Sequence, residues 1–298
     1  MSGKFFKKFD QGFMLYENYT SEPFKTFDDP DTPDIHVYSN VSIPHNVKQN
    51  LRYSDPVFIM NLTNQYIHFL VDNIGSYLYI KQFVPKLELK IFVKNAAGLT
   101  TAMREVVNLI SNKNNVQIID VKNNVYIYDQ LYDFSDGSNF RRDPPSNATN
   151  KLFLPVRENF LQYAKGTESY EKIFISRAET PKTGRSIENE GDLDEFFKGM
   201  GYKVLYLERL SFLEQMHYFI NAKYVAGIMG TGLTNTIFCK PGTKIISINT
   251  DCEYFWTGWS RIADEFDLSY MELSFNHCTP TSAQKLIKRL EEFNGSIF

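Results

Sequence analysis

The second half of the chain alternates short apolar runs with segments whose apolar residues recur every three or four positions. The runs predict buried strands, and the periodic segments predict amphipathic helices. The predicted strands are 172–177, 202–208, 224–229, 243–249 and 269–273, and the predicted helices are 188–200, 211–221, 233–239 and 254–266. Strands that alternate with helices at this spacing are typical of parallel βαβ units, and therefore of a doubly wound sheet.

The first half is less regular but shows the same alternation. Its predicted strands are 57–60, 89–93 and 116–121, and its predicted helices are 65–83 and 101–111. Before them, Pro30, Pro33 and Pro44 indicate an extended or loop-rich opening. The first half is therefore also predicted to be an α/β unit.

The segment 134–150 is rich in Gly, Pro and polar residues, which is typical of a linker. We therefore predict two similar-sized α/β lobes, residues 1–150 and residues 151–280. A last amphipathic helix within 281–298 could return to the N-terminal lobe. Ligands of such sheets bind beyond the carboxyl ends of the strands.

Composition narrows the class of protein. With 43% hydrophobic and 22% charged residues, the 298-residue chain can bury a core in each lobe. A net charge of −3 gives no reason to expect a nucleic-acid partner. No apolar run approaches the roughly 20 residues that a membrane span needs, and no signal-peptide core is present. We therefore expect a protein of the bacterial, viral or host-cell cytoplasm.

A candidate phosphate site follows the predicted strand 224–229. The strand runs into Gly230-Thr231-Gly232, which we call the glycine turn, and a predicted helix comes next. This order presents backbone N–H groups at a positive helix end, where phosphate binds well. The segment is neither a P-loop nor a dinucleotide-binding fingerprint, because the required Lys and the required glycine order are missing. A tight turn that needs small residues would explain it equally well.

Two arginines strengthen the phosphate hypothesis. Arg177 ends a predicted strand, and parallel strands all end at one sheet edge, so Arg177 is expected on the same edge as the glycine turn. Arg185 follows in a loop before the helix 188–200. The planar guanidinium group binds phosphate oxygens through two hydrogen bonds. A surface ion pair is the alternative explanation for either residue.

A His–Asp pair in the first half is a candidate for proton transfer. His68 and Asp72 are four residues apart, so they share one face of the predicted helix 65–83. A histidine that titrates near neutral pH suits a general base, and an aspartate beside it can orient it or act itself. A local helix-stabilising pair is the alternative.

Together these segments resemble glycosyltransferase family 61. In chain order the matching motifs are His68-Phe69 with Asp72, Ile175-Ser176-Arg177, Arg185 with Asn189-Glu190, Glu214-Gln215, residues 229–235, and Phe238 with Pro241-Gly242. The order and spacing agree from about residue 58 to residue 273. Met229 and Thr231 depart from the pattern, since the family has His and Ala at these positions.

The resemblance implies a GT-B fold, with two Rossmann-like α/β lobes facing a central cleft. Residues 1–150 would form the acceptor-side lobe, and residues 151–280 would form the lobe that binds the nucleotide-sugar. The resemblance also implies an inverting transferase that needs no metal or other cofactor. The implied donor is a UDP-sugar whose sugar is either a pentose, such as xylose, or N-acetylglucosamine. The implied acceptor is a hydroxyl group of a glycan or glycoprotein. The candidate donor-binding residues are Arg177, Arg185, Asn189, Glu190, Tyr206, Leu207, Glu208, Gly230, Thr231, Gly232, Leu233, Thr234 and Asn235.

The charges suggest a mechanism. Arg177, Arg185 and the N–H groups of residues 230–234 would stabilise the leaving diphosphate, while His68 or Asp72 would take the acceptor proton. Residues 206–208, at a predicted strand end, are placed to read the base. Two alternatives remain: another GT-B-like transferase of fucosyl or pyruvyl type, and a non-catalytic module that binds a nucleotide or glycan.

Overall fold

The computed structural model describes residues 35–43, 49–61, 65–92, 99–111, 116–119, 124–134, 147–164, 169–179, 187–250, 258–275 and 282–292. The chain divides into two compact units, Met1–Val156 and Arg157–Phe298, which we call the N-terminal and the C-terminal unit. Each unit is an α/β structure built on its own sheet. The predicted α/β class is therefore confirmed. A chain of two α/β units is also what the GT-B prediction requires.

Six strands of the N-terminal sheet lie in the described ranges. They are β1 (Ile35–Ile43), β2 (Gln49–Tyr53), β3 (Val57–Asn61), β4 (Glu88–Phe92), β5 (Val116–Ile119) and β6 (Asn124–Phe134). Their order is β1-β6-β3-β4-β5, and β2 pairs with β6. Among the described strands β1 is antiparallel to β6, and the remaining pairs are parallel. The 11-residue β6 is long enough for β2 and β3 to pair with it one after the other.

The sequence analysis missed three of these strands. The three predicted strands are present with shifted ends, whereas β1, β2 and β6 had not been predicted. Prolines at positions 33 and 44 flank β1 and favoured a loop there. The sequence of β6, Asn-Val-Tyr-Ile-Tyr-Asp-Gln-Leu-Tyr-Asp-Phe, mixes polar residues into its apolar pattern. The strands β1 and β6 pair with each other at eight positions, and this long-range pairing cannot be read from the local sequence of either strand.

The predicted helix 65–83 consists of two parts. Residues His68–Gly75 form a π-helical segment, and Ser76–Phe83 continue as an α-helix. The Thr101–Ile110 helix is present as predicted, and the side chain of Thr100 caps it by accepting the Met103 N–H. No helix among the described residues is long and apolar enough to cross a membrane.

A further helix, Asn147–Leu161, begins inside the predicted linker 134–150. The remaining residues of the predicted linker after Phe134, residues 135–146, lie outside the described ranges. The division between the two units falls inside this helix, directly after Val156. Pro155, one residue earlier, has no N–H to donate to the helix.

The sheet of the C-terminal unit contains all five predicted strands. They are β7 (Lys172–Ile175), β8 (Lys203–Leu205), β9 (Tyr224–Ile228), β10 (Lys244–Asn249) and β11 (Ser269–Ser274), in the order β11-β10-β9-β7-β8. All neighbours are parallel. The chain first adds β8 on one side of β7 and then adds β9 on the other side. This is the doubly wound order in which ligands bind where the winding reverses, between β7 and β9.

Helices cover this sheet close to the predicted positions. The α-helices are Glu190–Gly199, Phe212–Asn221, Gly258–Glu265 and Ala283–Glu292. Ser211 caps the second of these, and Glu214 completes the predicted capping box. The predicted helix 233–239 is instead a 3-10 helix, Thr231–Phe238, which starts inside the glycine turn.

The last helix belongs to the C-terminal unit. Leu286 and Leu290 are buried in the same cluster as Phe174 and Phe197, whose rings stack with centroids 3.9 Å apart. The Ala283 N–H also donates to the carbonyl of Glu188. The prediction that this helix returns to the N-terminal lobe is therefore wrong, because its apolar face completes the core of the unit that precedes it.

Candidate functional site

The glycine turn and Arg177 lie at the carboxyl ends of β9 and β7, where the winding of the sheet reverses. Ile175 is paired with Gly227 in the sheet, so the residues that follow each strand start at the same level. The Arg177 side chain reaches from the end of β7 to the end of β9, where its Nη1 donates to the Met229 carbonyl at 3.2 Å. Two motifs that are far apart in the sequence therefore meet where a doubly wound sheet binds ligands.

Glu190 fixes the main chain at Arg177. Its Oε1 accepts the Arg177 N–H at 2.8 Å. Glu190 starts the Glu190–Gly199 helix, and the exposed Asn189 before it has a left-handed backbone with φ of 54°. Asn adopts this conformation more readily than most residues. Burial raises the pKa of Glu190, and the bond and charge of Arg177 partly oppose this effect.

Two glycines of this region lie in close contact with neighbouring side chains. A Cβ atom at Gly227 would lie 3.0 Å from the Cβ of Ile175 on the neighbouring strand. A Cβ atom at Gly232 would lie 2.7 Å from Cδ1 of Leu207. These glycines support the simpler explanation of the motif, in which small residues allow a tight turn.

Gly230 is different. A Cβ atom there would meet the Arg177 side chain at 3.6 Å, which is an ordinary contact distance. Its φ of −178° is extended backbone that any residue adopts. Neither packing nor backbone conformation therefore requires glycine at this position, whereas close approach of a ligand to the backbone would require it.

Only the beginning of the predicted phosphate-binding segment reaches the surface. Thr231 is exposed and Gly230 and Gly232 are partly exposed, but the side chains of Leu233, Thr234 and Asn235 are fully buried. The first turn of the 3-10 helix closes with the Leu233 N–H donating to the Gly230 carbonyl at 3.1 Å. The side chains at 233–235 therefore belong to the core, and the assignment of these residues to the donor site stays a prediction.

Asn235 has a buried partner that the sequence analysis did not assign to the site. Its Nδ2 donates to Oε1 of Gln215 at 2.8 Å. The Gln215 Nε2 in turn donates to the carbonyls of Leu207 and Leu210, at 2.9 Å and 3.2 Å. The Glu214-Gln215 motif was the available signal, but spacing alone did not show what Gln215 contacts.

Residues 206–208 do not continue a strand, since β8 ends at Leu205 and a short 3-10 turn covers Leu207–Arg209. The Tyr206 hydroxyl donates to Oδ2 of Asp194 at 2.7 Å, and this bond raises the pKa of Tyr206 to about 12. The Arg209 guanidinium lies 4.8 Å from the centroid of the Tyr206 ring. Tyr206 is thus held at its hydroxyl and at its ring, while Glu208 beside it is exposed.

Met229, the residue that departs from the family pattern, is fully buried. Its N–H donates to the Ile248 carbonyl at 2.8 Å, and its carbonyl accepts from Arg177. The side chain therefore fills the core, and only the carbonyl faces Arg177.

Arg157 is a further cation of this unit that the sequence analysis did not identify. Its Nη1 donates to the carbonyls of Cys239, at 2.7 Å, and Ile237. Its guanidinium also lies 4.8 Å from the ring centroid of Phe266. Arg157 therefore caps the end of the Thr231–Phe238 helix opposite to the glycine turn. Burial lowers the pKa of this guanidinium. Arg185, the other predicted phosphate ligand, lies outside the described residues.

In the N-terminal unit, His68 and Asp72 form the expected pair. Nδ1 of His68 lies 2.7 Å from Oδ2 of Asp72, and both side chains are partly exposed. Asn73 donates to the His68 carbonyl at 2.8 Å, and Ser76 donates to the Asp72 carbonyl. The pair lies in the π-helical segment, a distortion that is frequent at functional sites.

Within the described ranges, no group of three or more His, Cys, Asp or Glu residues is placed to hold a metal ion. The metal independence implied by the resemblance stays a prediction.

Comparison with known proteins identifies the family. The model of the glycosyltransferase 61 family matches residues 66–246, more than half of the chain, and this range contains every candidate site residue named above. The chain belongs to glycosyltransferase family 61 and is a glycosyltransferase. No curated protein sequence matches it at a significant level.

Two solved structures of the E. coli heptosyltransferase WaaC are similar to the chain. The structure with ADP has 9% sequence identity and a TM-score of 0.41, and the match covers 81% of this chain and 97% of that one. The structure with ADP-2-deoxy-2-fluoro heptose has 8% identity and a TM-score of 0.42, with coverages of 82% and 100%.

Proposed function

We propose that this glycosyltransferase moves a pentose such as xylose, or N-acetylglucosamine, from a UDP-sugar to a hydroxyl of a glycan or glycoprotein acceptor. In this proposal the anomeric configuration is inverted and no divalent metal takes part. The observation that carries the proposal is the position of Arg177 beside the glycine turn, between the ends of β7 and β9.

The donor diphosphate binds at Arg177 and the glycine turn. A phosphate at Gly230 has the Arg177 guanidinium on one side and the N–H groups at the start of the Thr231–Phe238 helix on the other. Negative charge develops on the leaving diphosphate as the glycosidic bond breaks. Fixed donors and a cation stabilise this charge in the transition state, which is the role a divalent metal has in other transferases.

The acceptor hydroxyl must lose a proton as it attacks the anomeric carbon. The His68–Asp72 pair supplies the base. Either the His68 imidazole takes the proton while Asp72 orients the ring, or the Asp72 carboxylate takes it directly. Inversion follows if the acceptor attacks from the face opposite to the leaving diphosphate.

A thermal-shift panel of nucleoside diphosphates and their sugars, with and without magnesium, tests the donor assignment. We expect UDP and UDP-sugars to stabilise the protein, by about 2.7 kcal/mol at a concentration of 100 Kd, and magnesium to make no difference. Stabilisation by another nucleoside diphosphate but not by UDP would contradict the UDP assignment, and a strict need for magnesium would contradict the metal-free mechanism.

Incubation with the donor that binds best tests catalysis. We expect donor hydrolysis or transfer, and the anomeric configuration of the product, read by NMR, reports inversion. Nucleotide binding without either reaction over a range of glycan acceptors would favour a non-catalytic binding module instead.

A further inference from the structure

The loop of residues 206–210, which we call the 206–210 loop, is attached to the glycine-turn segment by two kinds of contact. The loop follows β8, and the glycine turn follows β9, so the two are separated in the sheet by β7. Chain connectivity does not place them together, and specific contacts therefore determine their relative position.

The first contact is a buried chain of hydrogen bonds. Asn235, on the helix that starts in the glycine turn, donates to Gln215, and Gln215 donates to the carbonyls of Leu207 and Leu210. Gln215 is 5% exposed and Asn235 is fully buried. Burying two amides is costly unless they are paired, and a fully paired network permits one arrangement of the segments that it joins.

The second contact is steric and independent of the first. Leu207 lies so close to Gly232 that a Cβ atom there would come within 2.7 Å of Cδ1. Glycine at this position lets the 206–210 loop lie directly against the glycine turn.

The 206–210 loop carries groups that suit a nucleoside. The Tyr206 ring is held by Asp194 and Arg209 and offers an aromatic surface to a planar base. Exposed Glu208 offers carboxylate oxygens that can accept from ribose hydroxyls. In a nucleoside diphosphate the base, the ribose and the phosphates are joined covalently, so both ends bind only if the two protein segments keep a fixed separation.

We propose that Gln215 is a positioning residue that holds the 206–210 loop, as the nucleoside-recognition side of the donor site, in register with the glycine turn, which binds the diphosphate. This inference rests on the proposed function. Gln215 contacts no donor atom itself and acts through the carbonyls of Leu207 and Leu210.

Two substitutions at Gln215 test the inference. Gln215→Met keeps the length of the side chain and removes all three hydrogen bonds. Gln215→Glu keeps an oxygen that accepts from Asn235 but places another oxygen against the carbonyls of Leu207 and Leu210. Gln162→Met is the matched control, because Gln162 is exposed on the same unit and bonds only locally, to the Asn159 carbonyl. Asn235→Leu removes the hydrogen bond to Gln215 from the other side. This variant is used in the test instead of Gln215→Met if Gln215→Met does not fold.

The measurement is calorimetric titration of each folded variant with UDP, ADP and inorganic pyrophosphate. Pyrophosphate occupies the phosphate side alone, so it separates loss of the nucleoside contacts from general loosening of the site. We expect both Gln215 variants to lose about tenfold in UDP affinity, the size of one hydrogen-bonded contact, and to lose most of the preference for UDP over ADP. Pyrophosphate affinity should stay within about twofold of wild type, and Gln162→Met should match wild type throughout.

Equal losses for UDP and pyrophosphate would overturn the inference, because Gln215 would then support the whole unit. Unchanged UDP affinity and unchanged preference for UDP over ADP would overturn it as well. If wild-type protein binds neither UDP nor pyrophosphate, the proposed function fails, and this result is distinct from a failure confined to the Gln215 variants.

Discussion

The two candidate regions, the His68–Asp72 pair and the glycine turn, are held in place in opposite ways. The His68–Asp72 pair is local, because its bond spans four residues of one helical segment. The glycine turn depends on distant partners: Arg177 bonds to Met229 across 52 positions, and Asn235 bonds to Gln215 across 20. A local pair can be predicted from spacing alone, whereas the meaning of a glycine turn depends on residues that only the fold brings to it.

This difference predicts different responses to substitution. The His68–Asp72 pair is partly exposed, so its removal should change chemistry with little effect on the free energy of unfolding. The glycine-turn region combines packing positions with ligand positions. Substitutions there should change either stability or donor affinity, according to which kind of position is altered.

The largest effect is expected at the His68–Asp72 pair. His68→Gln and Asp72→Asn should each lower kcat for sugar transfer, by about 10²- to 10⁴-fold for the residue that takes the proton and by less for the other. UDP affinity should be unchanged in both variants, since neither residue binds the donor. Steady-state kinetics of transfer together with UDP titration measure the two quantities.

His217→Gln is the matched control for this pair. His217 also faces a residue four positions along its helix, with Nδ1 lying 3.4 Å from the Nδ2 of Asn221, but has no proposed role. Transfer at near wild-type rates in both His68→Gln and Asp72→Asn would reject both residues as the base.

The next effect concerns stability. Gly227→Ala should lower the free energy of unfolding by about 1–3 kcal/mol, because the new methyl group meets the Ile175 Cβ on a neighbouring strand that cannot easily move. Urea denaturation measures this change. A variant as stable as wild type would show that Gly227 is not retained for packing.

The same substitution three residues later should act on binding instead. Gly230→Ala should leave the free energy of unfolding within about 0.5 kcal/mol of wild type, because the protein has room for the methyl group. UDP affinity should fall about tenfold, since the methyl group keeps the phosphate away from the backbone N–H groups. If Gly230→Ala binds UDP like wild type, the phosphate does not approach the turn at this residue.

The smallest effect is the contribution of Glu190 to the pH dependence of the free energy of unfolding. Because burial raises its pKa, the folded protein still holds a proton on this carboxyl group at pH values where the unfolded chain has lost it. This contribution to stability is complete at low pH and is lost as the pH rises through the raised pKa. Glu190→Gln still accepts the Arg177 N–H but cannot titrate.

The stability of Glu190→Gln relative to wild type should therefore increase as the pH rises above the ordinary glutamate range. Urea denaturation at a series of pH values measures this difference, with Glu291→Gln on an exposed helix position as the control. A constant difference between Glu190→Gln and wild type would contradict the assigned pKa shift.

Much of the fold follows from local pattern, and the exceptions have physical causes. Apolar runs located every strand of the C-terminal sheet, and the Ser211–Glu214 capping box marked a helix start correctly. The strands β1 and β6 were not predicted because their stability comes from pairing with each other. They are far apart in the sequence, so no short segment shows this pairing. The last helix was misplaced because an amphipathic face shows that a helix packs, but not against which core.

The candidate site was predictable to a similar degree. The i, i+4 spacing of His68 and Asp72 and the strand-end position of Arg177 are local signals, and the structure places these residues as described above. Burial was not predictable, so Asn235 was expected to contact the donor although it lies fully buried against Gln215. The contacts of Gln215 and Arg157 with backbone carbonyls leave no trace in sequence spacing.

The most direct test of the account is UDP titration of wild-type protein and of Arg177→Met. Arg177 contributes the cation at the glycine turn, while its backbone bond to Glu190 does not need the side chain. Arg289→Met, at an exposed position of the last helix, is the control. The account predicts that UDP affinity falls about 10- to 100-fold in Arg177→Met, the range for a hydrogen bond to a charged group, while the fold and Arg289→Met stay as in wild type. Equal UDP affinity in wild type and in a folded Arg177→Met would contradict the proposed donor site.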